Sequence, residues 1–290
     1  CQKKAFRYLL VLSQFLSPFI ASAEEKRPNI VLFYADDLGY TDLSCQGSSY
    51  YKTPHIDRIG KEGITFTNAY AAAANCAPSR ASLLSGLYTP RHGVFTVNNS
   101  DRGKAKHRKL IPIKNTEVLA PKFTTLAESL KSAGYQTCIA GKWHVSPDPT
   151  KDGFDTNFGG NKSGHPRSYF SPYKNPQLKD GPKGEHLPER LGRDVSNWIA
   201  DHKETPFFVY LPFYSVHTPI QARDDLAKKY SERPKTEPHH NPKYAAMIEA
   251  MDLAVGQVLK TLEEQDLSDN TLVIFTSDNG PHGNISRATP

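Results

Sequence analysis

The chain has 290 residues, with 36 Lys and Arg against 30 Asp and Glu, 38% hydrophobic and 10% aromatic residues. That apolar content excludes a disordered polymer, the unperiodic 19 Gly and 22 Pro exclude collagen, and the length suffices for one large core or two modest ones. The cationic excess is small and scattered, which argues against a nucleic-acid partner, and no apolar run is long enough to span a bilayer.

In chain order, Lys3, Lys4 and Arg7 precede an apolar run over residues 8–20 and then Ala21-Ser22-Ala23, the pattern of a secretory signal peptide at 1–23. The mature chain is expected from Glu24, exported to a periplasmic or extracellular space, without a membrane partner. Because the sequence begins with Cys1 and stops at Pro290 just after a motif, it reads as part of a longer chain. Export permits disulfides, yet Cys45, Cys76 and Cys138 are an odd set with no paired spacing, so one is left over.

Residues 29–35 (NIVLFYA) read as a buried strand, 54–61 as a helix, 64–69 as a strand and 79–85 as a helix opening after Pro78. Residues 124–133 form a helix stopped by Gly134, and 135–140 a strand. Leu191, Val195, Trp198 and Ile199 lie at helical spacing within 189–202, followed by a strand at 206–212 (PFFVYLP). The longest helical period covers 244–264 and leads into a strand at 271–276 (TLVIFT). The lysine-, proline- and glycine-rich stretches 97–123 and 145–188 read as long surface loops. Alternating strands and helices predict an α/β fold with a mostly parallel central sheet flanked by helices.

The informative residues follow the strands. Residues 29–35 run into Asp36-Asp37, 135–140 into Gly141-Lys142-Trp143-His144, 207–216 into His217, and 271–276 into Ser277-Asp278-Asn279-Gly280. In open parallel sheets ligands bind beyond the carboxyl ends of the strands, so these distant residues are expected to converge. Asp36, Asp37, Asp278 and Asn279 offer hard oxygen donors, which favour Ca²⁺ or Mg²⁺ over Zn²⁺. Each pair taken singly also fits a polar turn. Cys76-Ala77-Pro78-Ser79-Arg80 places a cysteine where a helix begins, at the positive end of its dipole. There it reads either as a low-pKa thiolate nucleophile or as a small core cysteine.

Cys-x-Pro-Ser-Arg with a following Ser85-Gly86, together with Asp36-Asp37, Gly-Lys-Trp-His at 141–144 and Asp278-Asn279-Gly280, resembles the type I, formylglycine-dependent sulfatases of the alkaline phosphatase superfamily. The resemblance runs from about Arg27 to Pro290. It implies that residues 24–290 are the N-terminal catalytic domain of an alkaline-phosphatase-like sandwich whose C-terminal subdomain lies beyond this sequence. It also implies that Cys76 is oxidised to formylglycine by a formylglycine-generating or sulfatase-maturating enzyme, which would account for the odd cysteine. Asp36, Asp37, Cys76, Asp278 and Asn279 would hold Ca²⁺, with Mg²⁺ the alternative. Arg80, Lys142, His144 and His217 would surround the formylglycine and the sulfate.

The implied function is hydrolysis of sulfate esters, with sulfated carbohydrate as the expected substrate. A hydrated aldehyde carries two hydroxyls: one attacks sulfur, and deprotonating the other expels sulfate and restores the aldehyde. Asp278 is the expected base for the first, His144 for the second, and Lys142 or His217 the acid for the leaving oxygen. The family's further active-site lysine would fall beyond Pro290, and the loop around 161–165 matches too loosely for an assignment. The rival readings are a phosphonate or phosphate ester hydrolase of the same superfamily, and a non-catalytic binder of sulfated glycan with Cys76 left as a thiol.

Overall fold

The computed structural model of the chain describes residues 27–234, 236 and 239–283. The leader read at 1–23 lies outside the described residues. In chain order the elements are β1 (Asn29–Ala35), α1 (Pro54–Glu62), α2 (Cys76–Ser85), the single turn α3 (Thr89–His92), α4 (Leu126–Ser132), β2 (Gln136–Ala140), β3 (Thr156–Phe158), α5 (Leu187–Asp201), β4 (Phe207–Pro212), α6 (Asp224–Ser231), α7 (Pro242–Glu264) and β5 (Thr271–Ser277). The strands form one sheet in the order β3-β2-β4-β1-β5, every neighbouring pair parallel.

The central strands are continuous apolar runs because the sheet is covered on both faces. Successive side chains point to opposite sides, and two cores result. Val31, Phe33, Val209 and Leu211 pack with Leu191 and Val195 of α5 and Met247, Met251 and Val255 of α7. Leu32, Tyr34, Phe208 and Tyr210 pack instead with Ala81 and Leu84 of α2, Ala127 of α4, and Trp143 and Phe154 from the connecting loops. At the β5 edge, Val273 and Phe275 pack on the first core, whereas Leu272 and Ile274 on the other face are exposed.

Local signals start the helices. Asn241 accepts from the backbone N–H of Lys243 and Tyr244 with Pro242 following, and Thr125 and Glu128 form a capping box at α4. Helix α1 has no side-chain cap of its own; the buried carboxylate of Asp252, on α7, accepts from the N–H of His55 and Ile56 at 3.1 and 2.8 Å. Burial pushes the Asp252 carboxyl up to about 7.

Because every strand runs the same way, their carboxyl ends collect on one edge, and the loops leaving them are stitched together. Asp36 N–H donates to Ser215 O, Val216 N–H to Asp36 O, Asp278 N–H to Ala35 O and Lys142 N–H to Pro212 O. This places Asp36, Lys142, the 213–217 turn and Asp278 side by side.

Helix and strand boundaries differ from the sequence reading by a few residues at most, with four exceptions. Residues 64–69 are not a strand. Their alternation suits a sheet edge, but no described strand lies in bonding reach, and Ile64, Phe66 and Tyr70 are exposed. Strand β3, helix α6 and the single turn α3 were also not anticipated: β3 is three residues inside a polar stretch, α6 carries only Leu226 and Tyr230 as its buried face, and α3 is four residues long. Cys45, Cys76 and Cys138 are all free, Cys45 exposed and the other two buried, so no pair forms.

Gly141 links β2 to Lys142 with a φ of +115°, and a Cβ there would lie 2.1 Å from the Pro212 carbonyl oxygen. Gly134 also has positive φ, but a Cβ there would meet only the end of the Arg27 side chain. Strain from a disallowed backbone conformation alone costs about 1–3 kcal/mol. Gly141→Ala should therefore lose clearly more stability in urea unfolding than Gly134→Ala, because it adds a backbone clash that nothing flexible can relieve. Equal losses would show that the β2–β4 contact yields.

Candidate active site

The site is built on a buried ion cluster. Asp36, Arg80 and Lys142 are each 0% exposed, and Asp278 is equally enclosed. Lys142 Nζ donates to both oxygens of Asp36 at 2.7 Å. The Arg80 guanidinium places Nε 2.9 Å and Nη2 2.8 Å from Asp278 Oδ2, and its Nη1 donates to the Lys142 carbonyl at 2.9 Å. It also lies over the ring of Tyr34, whose hydroxyl is 3.2 Å from Ser79 Oγ. Two cations thus balance two of three carboxylates, and Asp37 is the third. Its backbone N–H donates to Asp278 Oδ1 at 3.2 Å, and its side chain meets Asn279 Nδ2 at 2.6 Å and His217 Nε2 at 3.7 Å.

Ligand atoms of Asp36, Asp37 and Asp278 lie within 4.8 Å of one another. The donor set is all oxygen, one negative charge remains uncompensated by Arg80 and Lys142, and Asn279 Oδ1 is buried without a hydrogen-bond partner. Those features fit a hard divalent cation. Asp36 and Asp278 are ion-paired with Lys142 and Arg80, so repulsion among the three carboxylates does not by itself require a cation. Burial pushes Asp36 up against the pull of Lys142. Burial works the same way on Asp278, but Arg80 and Lys142 overcome it and hold that carboxyl below its usual range.

Above the cluster opens a cleft of about 750 Å³ lined by Asp37, Cys76, His144, His217 and Asn279, among others. Cys76 is the first residue of α2, three residues earlier than the helix read from Pro78, with no side-chain cap at Asn75. Burial pushes its thiol pKa up, with Lys142 opposing and Asp36 and Asp278 adding to the rise. Burial, with the two nearby carboxylates adding, outweighs the cations, so the direction is opposite to that of an acidic thiolate and agrees with the alternative reading of a buried cysteine.

His144 has a φ of +62°, and its ring packs so closely on Gly164 that a Cβ there would lie 2.5 Å from it. Burial, with Lys142 and Arg80 adding, lowers it to about 3. Burial and Lys142 also lower His217, whose Nδ1–H donates to the Thr218 carbonyl at 2.8 Å. All nine residues singled out in the sequence therefore meet at one sheet edge. Asp37, Cys76, His144, His217 and Asn279 face the cleft, while Asp36, Arg80, Lys142 and Asp278 are enclosed beneath it or at its floor.

Further residues sit beside the site, two of them in the 161–165 loop that the sequence left unassigned. The His165 ring stacks on His217 at 6.2 Å, and Asn161 accepts the His144 N–H through its carbonyl. Tyr244, on α7, donates to Asp42 at 2.7 Å while lying 3.4 Å from the Asp37 carbonyl. Among the described residues no helix is long and apolar enough to cross a membrane.

Comparison with known proteins places this arrangement. A "Sulfatase" from Formosa agariphila is 33% identical, the alignment covering 96% of this chain and 63% of that protein. Human N-acetylgalactosamine-6-sulfatase is 32% identical, covering 90% of this chain and 51% of the relative. The chain thus spans between half and two thirds of the length of these relatives. The crystal structure of Ps i-CgsB in complex with k-i-k-neocarrahexaose superposes with a TM-score of 0.74 at 30% identity, covering 89% of this chain and 60% of that one. With the Sulfatase family model matching residues 28–288 as well, the chain belongs to the sulfatase family.

Proposed function

We propose that the protein is an exported sulfuric ester hydrolase acting on sulfated carbohydrate, with Cys76 matured to formylglycine and Ca²⁺ held by Asp36, Asp37, Asp278, Asn279 and residue 76. The observation that carries the reading is the meeting of Cys76 with Asp37, Asn279, His144 and His217 around one cleft, over a floor of paired buried charges. Relatives named for sulfated amino sugars, and a structural neighbour holding a carrageenan-type oligosaccharide, support carbohydrate as the substrate class.

Ca²⁺ would supply charge neutralisation for the sulfuryl oxygens. The hydrated aldehyde would supply one hydroxyl to attack sulfur and a second whose deprotonation releases sulfate. The protein's own residues do the rest. Asp278, expected from the sequence as the base for the attacking hydroxyl, is enclosed below the cleft with Oδ2 on Arg80 and Oδ1 on the Asp37 N–H, so we assign it to holding Arg80 and the cation in place rather than to proton transfer. His144, with its pKa near 3, is unprotonated at neutral pH and so is free to accept the proton of the second. His217 lines the cleft whereas Lys142 lies buried on Asp36, so we assign His217 to the leaving oxygen; a bound sulfate raises its proton affinity by opposite charge. Lys142 and Arg80 fix the carboxylates and add positive potential under the developing charge. An unmodified Cys76 thiol, raised in pKa, is a poor nucleophile, which favours the matured form.

Two outcomes test this. Full-length protein expressed with a maturating enzyme, which supplies the oxidant, should yield a 62–80 peptide lighter than its thiol form, resistant to thiol alkylation and reactive with hydrazides. Active enzyme whose Cys76 alkylates completely would end the mechanism. Second, Asp37→Ala should lower turnover of a chromogenic sulfate ester by about a hundredfold or more and remove bound calcium found by elemental analysis. Full turnover by metal-free protein would refute the cation's role, and faster turnover of the matching phosphate ester would favour the phosphate hydrolase.

A further inference from the structure

Beside the main cleft lies a second groove, about 350 Å³, that shares Lys162, Ser163 and His165 with it. Its volume is at the lower end of small-molecule sites, enough for one further unit of a ligand whose reacting end sits in the cleft. Its charge is one-sided. Lys162, Arg167 and Lys174 line it, and no carboxylate does. None of these three cations has a hydrogen bond or ion pair among the described residues. The arginines just outside are quenched: Arg190 and Arg193 bind Glu185, and Arg223 binds Glu189 and Asp225. An uncompensated basic groove opening on a site for an anionic ester calls for a second anion on the same ligand.

The groove is also held in register with the reacting end. Asn175 Nδ2 donates to the Gly159 carbonyl at 2.8 Å, and Asn161 Nδ2 donates to the same carbonyl and to Asn175 Oδ1 at 3.3 and 3.1 Å. The Asn161 carbonyl in turn accepts the N–H of His144 at 3.0 Å. The loop that carries Lys162, Arg167 and Lys174 is thus tied to the backbone of His144, and such preorganisation limits the ordering cost of binding.

We propose that this groove is an anion subsite for a sulfate or carboxylate on the sugar next to the one whose ester is cleaved, with Arg167 and Lys174 selecting a polyanionic oligosaccharide over a small sulfate ester. The inference rests on the sulfatase reading above and adds the substrate's minimum size and charge.

The test uses matured full-length enzyme, wild type and Arg167→Gln/Lys174→Gln. Three substrates are compared: a chromogenic aryl sulfate, a hexasaccharide sulfated on adjoining sugars, and its counterpart with uronates in place of the neighbouring sulfates. The double variant should keep aryl sulfate turnover within about twofold and lose about tenfold or more in kcat/KM on a polyanionic hexasaccharide, chiefly through KM, because the lost contacts are charge-assisted and made to the neighbouring sugar. Loss on only one hexasaccharide identifies which anion the groove takes. Unchanged hexasaccharide kinetics, or an equal loss on the aryl sulfate, would overturn the subsite. Calorimetric binding of both hexasaccharides is read alongside and is independent of turnover. Weaker binding by the variant supports the groove even if no ester is cleaved, in which case the sulfatase reading alone fails; equal binding by both proteins overturns the groove.

Discussion

The fold's working edge depends on burying Arg80 and Lys142 against Asp36 and Asp278. These four side chains come from the start of α2 and the carboxyl ends of β2, β1 and β5, and they are almost wholly enclosed. Charges taken that far from water are tolerable only with close partners and satisfied hydrogen bonds, and removing one partner of a buried pair typically costs about 3–5 kcal/mol. The two lysine contacts at 2.7 Å, the Arg80 Nε bond to Asp278 at 2.9 Å and the Nη1 bond to the Lys142 carbonyl supply those partners, while Arg80 Nη2 meets Asp278 at 2.8 Å as an ion-pair contact without a hydrogen bond. The cluster therefore fixes where α2 begins relative to the sheet. Cys76, four residues before Arg80, is placed over the carboxylates by the same ion pairs that make the floor rigid.

Much of this was legible in the sequence, for a definable reason. A parallel sheet covered on both faces turns each central strand into an unbroken apolar run, so NIVLFYA and FFVYLP stand out, and polar residues directly after such runs must gather at one edge. The illegible parts are those decided by tertiary partners. Residues 64–69 have the alternation of a strand, but a strand exists only through its ladder. Strand β3 has three residues and is held by pairing with β2, not by its own pattern. The burial of Arg80 and Lys142 was hidden for the same reason: both types usually sit at the surface, and only the carboxylates brought from elsewhere in the chain allow otherwise. Arg167 and Lys174 stand in the sequence among other loop cations, Lys104, Lys106 and Arg108, that would suit a polyanionic carbohydrate, but the sequence does not show that these two and Lys162 share one groove, because the amide contacts that shape the 159–177 loop follow no local rule.

Asp37 and His144 share a feature that links geometry to chemistry. Both are non-glycine residues with left-handed backbone, φ of +55° and +62°, and both line the cleft. Such conformations persist only where the surroundings over-determine them. For Asp37 these are the bond from its N–H to Asp278 and the Asn279 amide; for His144, the Asn161 carbonyl and the ring's close fit over Gly164. In each case the reversed backbone lies in the loop leaving a strand, two residues past β1 for Asp37 and four past β2 for His144, and both side chains line the cleft that holds Cys76. The adjacent residue is sent the other way: Asp36 and Trp143 are buried while Asp37 and His144 reach the opening. One local reversal thus splits each motif into a supporting member and a working member. That division explains why two carboxylates in sequence can have opposite environments, one locked to Lys142 and one at the cleft wall where a ligand can reach it.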